Sequence, residues 1–263
     1  MTSYVRVERR GLVGWVTLDR PPRNAFDGTM RDELVERLVE ALEDPATRVV
    51  VVTGEGRGFC AGADVRYLSE LAEARDAAAF SRLVDSGREV VTRIRACPKP
   101  VLAAVNGAAA GGGANLALAC DLRVASESAS IGQSFIRIGL HPDYAGTFLL
   151  PRIVGTSRAL ELMWTGRLVP APEALALGLF DRVVPDGELH AEVTRLAGEL
   201  AAAPAEAVGR IKAAVYGGST SKLEDALGKE HDAQLALFGG ADVAEGLRAF
   251  FEKRPPAFGK ARS

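Results

Sequence analysis

Cysteine and histidine are scarce in this sequence. Three cysteines (Cys60, Cys97, Cys120) lie scattered through 263 residues with no CxxC pair, which excludes a disulfide framework. The three histidines (His141, His190, His231) show no metal-ligand spacing. A reduced, metal-free, cytoplasmic protein is therefore expected. Neither sign of charge dominates: Lys+Arg 32 against Asp+Glu 34 leaves a formal net charge of -2. Bulk electrostatics thus offers no drive toward nucleic acid or an anionic membrane, although a local basic site for a small phosphorylated ligand stays open. The N-terminal stretch has no apolar h-region, so no secretory leader is expected. The uncharged run 100–120 is long enough to span a bilayer, but it contains Asn106, Asn115 and four glycines (Gly107, Gly111, Gly112, Gly113). It reads as a buried strand, a glycine turn and a tight helix.

Apolar residues make up 48% of the chain, ample for one core. Period-two alternation around Gly11 and Gly14 predicts a hairpin, and the apolar runs 48–53 and 100–105 predict strands buried on both faces. Helical periodicity covers 29–43 and 77–95, with a short helix at 114–120 and strands at 121–125 and 129–132. Beyond residue 145 helices dominate, interrupted by a strand at 180–184. The alternation of strand, turn and helix indicates an α/β fold. The expected organisation is a core over residues 1–200 continuous with a helical region over 201–263, without a linker.

Two glycine-rich turns, 54–64 and 106–113, each follow an apolar strand. Gly111-Gly112-Gly113 directly before a helix presents unpaired N–H donors at the positive end of a dipole, as an oxyanion site needs. The alternative is that these glycines only allow close helix packing. Neither turn ends in the Gly-Lys-Ser/Thr of a phosphate loop or has dinucleotide spacing, so a nucleotide switch or dehydrogenase is disfavoured.

Phe59-Cys-Ala-Gly-Ala-Asp64, Lys99-Pro-Val-Leu-Ala-Ala-Val-Asn-Gly107, Gly111-Gly-Gly113 and Cys120-Asp-Leu-Arg-Val-Ala125 resemble the enoyl-CoA hydratase/isomerase (crotonase) superfamily. So do Gly155-Thr-Ser-Arg-Ala-Leu-Glu-Leu, the segment 173–184 and the terminal Glu252-Lys-Arg-Pro-Pro-Ala-Phe258. The resemblance implies a spiral of repeated ββα units whose C-terminal helices assemble homotrimers or dimers of trimers. It implies an acyl-CoA thioester substrate, coenzyme A entering as part of that substrate with no separate cofactor. The thioester oxygen would sit between the N–H groups of Ala63 and Gly112. Ala61, Ala63, Asp64 and Val65 would follow the adenine end of CoA, mainly through backbone, with Ala25 and Gly111 beside them. Arg23 is the candidate for the phosphates, and Phe258 and Lys260 for a neighbour's CoA.

Hydratases of this superfamily carry two glutamates that activate water; here those positions hold Asn115 and Phe135, neither a general base. The remaining acid in the pattern is Asp143, on the loop Leu140-His-Pro-Asp-Tyr-Ala-Gly146 that borders the acyl pocket in the superfamily. Members that move double bonds, including ring-epoxide isomerases, often carry an acid there. Walled by Phe135, Leu140 and Phe148, it would be desolvated and more basic than a free aspartate. The competing role is a cap on the helix starting near Ala145. His141 is kept as a pocket residue, Cys60 lacks a partner base, and Asp121 reads as structural. The expected reaction is isomerisation of an unsaturated or ring-derived acyl-CoA by Asp143. The alternatives are an atypical hydratase and an inert acyl-CoA-binding subunit.

Overall fold

Four consecutive valines, 49–52, bury their side chains completely, alternating between two apolar clusters on opposite faces of one sheet. Helices cover both faces, and this strand sits at the centre of the fold.

The computed structural model describes residues 3–259. Its first half runs β1 (Val5–Arg10), β2 (Val13–Leu18), α1 (Gly28–Glu43), β3 (Val49–Gly54), β4 (Gly58–Cys60), α2 (Val65–Ala74), α3 (Ala77–Ala96), β5 (Val101–Val105), β6 (Ala108–Ala110) and α4 (Gly112–Ala119). Then follow β7 (Leu122–Ser126), β8 (Ser130–Gly132), a 3-10 turn (Ser134–Ile138), α5 (Gly146–Val154), α6 (Thr156–Thr165), β9 (Leu168–Pro170) and α7 (Ala171–Ala176). The chain closes with β10 (Arg182–Val184), a 3-10 turn (Asp186–Glu188), α8 (Leu189–Ala202), α9 (Ala205–Gly218), α10 (Leu223–Phe238) and α11 (Ala241–Glu252).

The larger sheet has the order β1-β2-β3-β5-β7-β10, antiparallel at the β1–β2 hairpin and parallel elsewhere. A smaller sheet, β4-β6-β8-β9, is parallel except at β9. Three successive strand pairs, β3–β4, β5–β6 and β7–β8, each place one strand in the large sheet and the next in the small one. This is the ββα spiral.

The uncharged run 100–120 becomes β5, β6 and α4, and among the described residues no helix is long and apolar enough to cross a membrane. Several short elements fall where the periodicity shows none. β4 and β6 lie inside the two glycine turns, and β9 precedes α7; three residues are too few to display a period. Helix α2 was also missed. It buries no residue fully, and only Tyr67 and Leu68 pack, half-buried, against the core. Helix α10 buries no residue, and α9 buries only Gly209.

Candidate active site

The two glycine turns meet. Gly62 has φ of +82°, and a Cβ there would lie 2.7 Å from the Ala110 carbonyl oxygen and 3.1 Å from the Gly112 nitrogen. Gly113 is held to glycine for packing alone, since its Cβ would come within 2.3 Å of the Cys60 carbonyl oxygen. The packing reading of the glycines therefore holds at Gly113.

Around Ala63 the Phe26 N–H donates to the Gly62 carbonyl (2.7 Å) and the Asp64 N–H to the Phe26 carbonyl (2.8 Å). These bonds straddle Ala63, whose own N–H has no acceptor among the described residues. Gly112 begins α4, and its N–H is likewise without an acceptor. Both residues line one cavity of about 1070 Å³.

That cavity also brings together Arg23, Ala25, Ala61, Asp64, Val65, Gly111, Phe135, Leu140, His141 and Asp143. Further walls come from residues the sequence reading did not select: Leu68 of α2 and Phe80, Leu83 and Val84 of α3. Their helical spacing gave no sign of facing a void instead of protein. Arg20 was also missed. Its guanidinium bridges Asp27 (2.9 Å) and Asp64 (2.8 Å), the N-cap residues of α1 and α2, and so ties both helices to the cavity rim. Burial works against ionisation of Asp64, but bonds from Arg20 and the Arg66 N–H hold its carboxyl below the ordinary range. Its side chain is thus committed to the scaffold. Asn24, 1% exposed, donates to the carbonyls of Glu55, Gly58 and Phe59 and fixes the first turn to the preceding loop. Arg23, Arg66 and Arg137 line the cavity and form no ion pair among the described residues.

Asp143 faces the cavity from the loop before α5. One carboxyl oxygen, Oδ1, is buried without a hydrogen-bond partner among the described residues. Burial pushes the group up to about 6, with its own backbone N–H and nearby His141 pulling the other way. Capping does not account for it: the N-cap of α5 is Ala145, and no side chain bonds the helix start. His141 lies at the exposed rim, with Nδ1 2.8 Å from the Pro142 carbonyl oxygen. Phe135 forms an apolar wall, its ring 3.8 Å from where a Cβ of Gly111 would sit.

Other expected neighbours lie elsewhere. Phe148 is 44% exposed, on the outer side of α5 with the Arg152 guanidinium over its ring, and is no part of the wall. Asn115 is fully buried behind the cavity; its amide bonds Gln133 and the Asp143 carbonyl and does not line the space. Phe258 packs against Gly246 of α11, in a separate depression. Lys260 lies outside the described residues. Burial pushes the Cys60 thiol up to about 12, which removes it as a nucleophile. Asp121 is structural: its carboxylate accepts from the Val101 N–H (2.7 Å) and pairs with Lys212 (2.8 Å).

The family described as "Enoyl-CoA hydratase/isomerase" matches residues 8–261. A probable enoyl-CoA hydratase of Rhodobacter capsulatus is 42% identical over 92% of this chain and 93% of that protein. A 1,2-epoxyphenylacetyl-CoA isomerase of Escherichia coli is 39% identical over 92% and 93%. Among solved structures, a putative enoyl-CoA hydratase/isomerase from Mycobacterium abscessus superposes with a TM-score of 0.93 at 34% identity, covering 98% of this chain and 100% of that one. The fold, the paired glycine turns and these likenesses agree: the chain belongs to the enoyl-CoA hydratase/isomerase family and has its crotonase fold.

Proposed function

We propose that this family member is an acyl-CoA isomerase in which Asp143 carries a proton between two carbons of a bound enoyl or ring-derived acyl group. The observation that carries this reading is the Asp143 carboxyl, with one oxygen unpartnered, in a cavity whose walls include Phe135, Leu140, Leu83 and Phe80. By the resemblance, Asn115 and Phe135 occupy the positions of the water-activating glutamates of the hydratases, and among the described residues the other carboxylate lining the cavity, Asp64, is paired with Arg20.

In the proposed cycle the acyl thioester enters with its carbonyl oxygen toward the N–H groups of Ala63 and Gly112. Asp143 takes a proton from the carbon next to the carbonyl. The electron pair passes to the thioester oxygen, where two preorganised donors stabilise the developing charge. The protonated carboxyl then returns the proton at the γ-carbon, and the C=C bond has moved one position. A carboxyl near 6 suits both halves, because it accepts and releases a proton near neutral pH. Arg23 is proposed to meet the phosphates of CoA, and the exposed apolar faces of α10 and α11 to assemble a homotrimer or a dimer of trimers.

Water addition is the second reading, favoured by relatives such as the crotonyl-CoA hydratase of Syntrophomonas wolfei, 36% identical over 96% of this chain. Incubation with a medium-chain 3-enoyl-CoA and, separately, with crotonyl-CoA separates the two. Formation of the 2-enoyl isomer supports the isomerase; 3-hydroxyacyl-CoA from crotonyl-CoA supports the hydratase. Tight CoA binding with neither product marks an inert acyl-CoA-binding subunit.

A further inference from the structure

Asn115 stands where the family's hydratases place a water-activating glutamate, yet here its amide is used at both ends inside the protein. Oδ1 accepts from Gln133 Nε2 at 2.7 Å, and Nδ2 donates to the Asp143 backbone carbonyl at 2.8 Å. A carbonyl oxygen only accepts, so the group facing it must be the NH2, and this sets the orientation of the amide. An ionised glutamate or aspartate at 115 would turn an oxygen toward that carbonyl instead.

The neighbouring backbone is built around the same contact. Gly146 packs so closely on the amide that a Cβ there would come within 2.4 Å of Asn115 Nδ2. Between Asp143 and Gly146, Tyr144 and Ala145 both hold left-handed backbone, with φ of +47° and +58°, a conformation that non-glycine residues adopt only when their surroundings impose it. On one side the Tyr144 ring is locked in the core, stacked on Phe26 at 5.7 Å with an interplanar angle of 1°. On the other, Asn115 grips the Asp143 carbonyl.

We propose that Asn115 is a positioning residue for Asp143: held by Gln133, its amide fixes the Asp143 carbonyl and so aims the carboxyl into the cavity. The inference rests on Asp143 being the proton carrier. The loss of the glutamate is then also the gain of a clamp, because one side-chain position serves either an activated water or the Asp143 loop.

The test compares isomerisation of a medium-chain 3-enoyl-CoA by the full-length wild type, Asn115→Ala, Asp143→Asn and the double variant. Asn115→Ala should lower kcat roughly ten- to a hundredfold, the scale of a misplaced catalytic group, with KM within about threefold. In the Asp143→Asn background it should cost nothing more, because its effect passes through the carboxyl. Gln133→Met removes only the donor that seats the amide. It should reproduce the kcat loss in milder form, and it decides the matter if Asn115→Ala does not fold. Wild-type kcat in the folded 115 variant, a change confined to KM, or an equal loss in both backgrounds overturns the clamp while leaving Asp143 in its role. A fully active Asp143→Asn overturns both.

Discussion

Replacing Asp143 with asparagine should make the protein slower and more stable together. The cavity raises the carboxyl from 3.8 to about 6, which corresponds to an order of 3 kcal/mol against the ionised form in the folded state. The folded protein then binds this proton more tightly than the unfolded chain. Stability falls as pH rises from about 4 to about 6, and the penalty is fully present above that window. Asparagine carries no charge, so at pH 8 Asp143→Asn should gain up to about 3 kcal/mol, less the cost of burying an unpaired amide, about 1–3 kcal/mol. For a chain of this size each kcal/mol gained moves Tm by about 2–4 °C. At pH 4, where the carboxyl of the folded protein is already protonated, this gain should be absent and only the cost of the unpaired amide should remain. The same variant should lose roughly a hundred- to ten-thousandfold in isomerisation rate, and exchange of α- and γ-protons of a bound enoyl-CoA in deuterated water should stop. Urea unfolding at pH 4 and pH 8, with exchange followed by NMR, gives both readouts. Wild-type exchange by Asp143→Asn, or a variant less stable than wild type at pH 8 but not at pH 4, would refute the assignment of a desolvated base.

The pH profile of kcat/KM should show an acid limb near pH 6 and fall about tenfold per unit below it, since the ionised carboxyl is the active base; a limb near pH 4 would mean a solvated aspartate. Gly112→Val should cost at least about tenfold in rate, or about 1.4 kcal/mol, because a Cβ already stands 3.6 Å from the Phe26 and Tyr144 rings and the added methyls must crowd the thioester. Unchanged rate and CoA affinity would misplace that donor. Leu223, Leu227, Leu235, Phe238, Phe250 and Phe251 of α10 and α11 are between 54% and 79% exposed, so wild-type protein should sediment as an oligomer at micromolar concentration. Truncation after Tyr216 should dissociate or aggregate it, and a clean wild-type monomer contradicts the reading.

Much of the fold is local, and local patterns show it. The run at 49–52 is apolar without alternation, which only a strand covered on both faces can use, and the helix at 29–43 carries its apolar side chains at helical spacing. The two glycine turns are legible in the sequence, but their meeting at Gly62 and Gly112 is implied there only by the family resemblance. Asp143 becomes the candidate acid through the family resemblance, which assigns the glutamate positions to Asn115 and Phe135.

Tertiary structure decided what depends on partners distant in the chain. Three-residue strands such as Ala108–Ala110 exist only because Gly58–Cys60 and Ser130–Gly132 pair beside them. Helix α2 packs its apolar face toward a cavity, a choice that helical periodicity cannot distinguish from packing on protein. Phe148 lies outside the wall expected of it, exposed on α5 beneath the Arg152 guanidinium, a placement that helical spacing alone does not determine. The amide of Asn115 is donor and acceptor in any sequence. That its donor meets the Asp143 carbonyl, 28 residues away, is a property of the folded chain alone, because hydrogen bonding follows proximity in space.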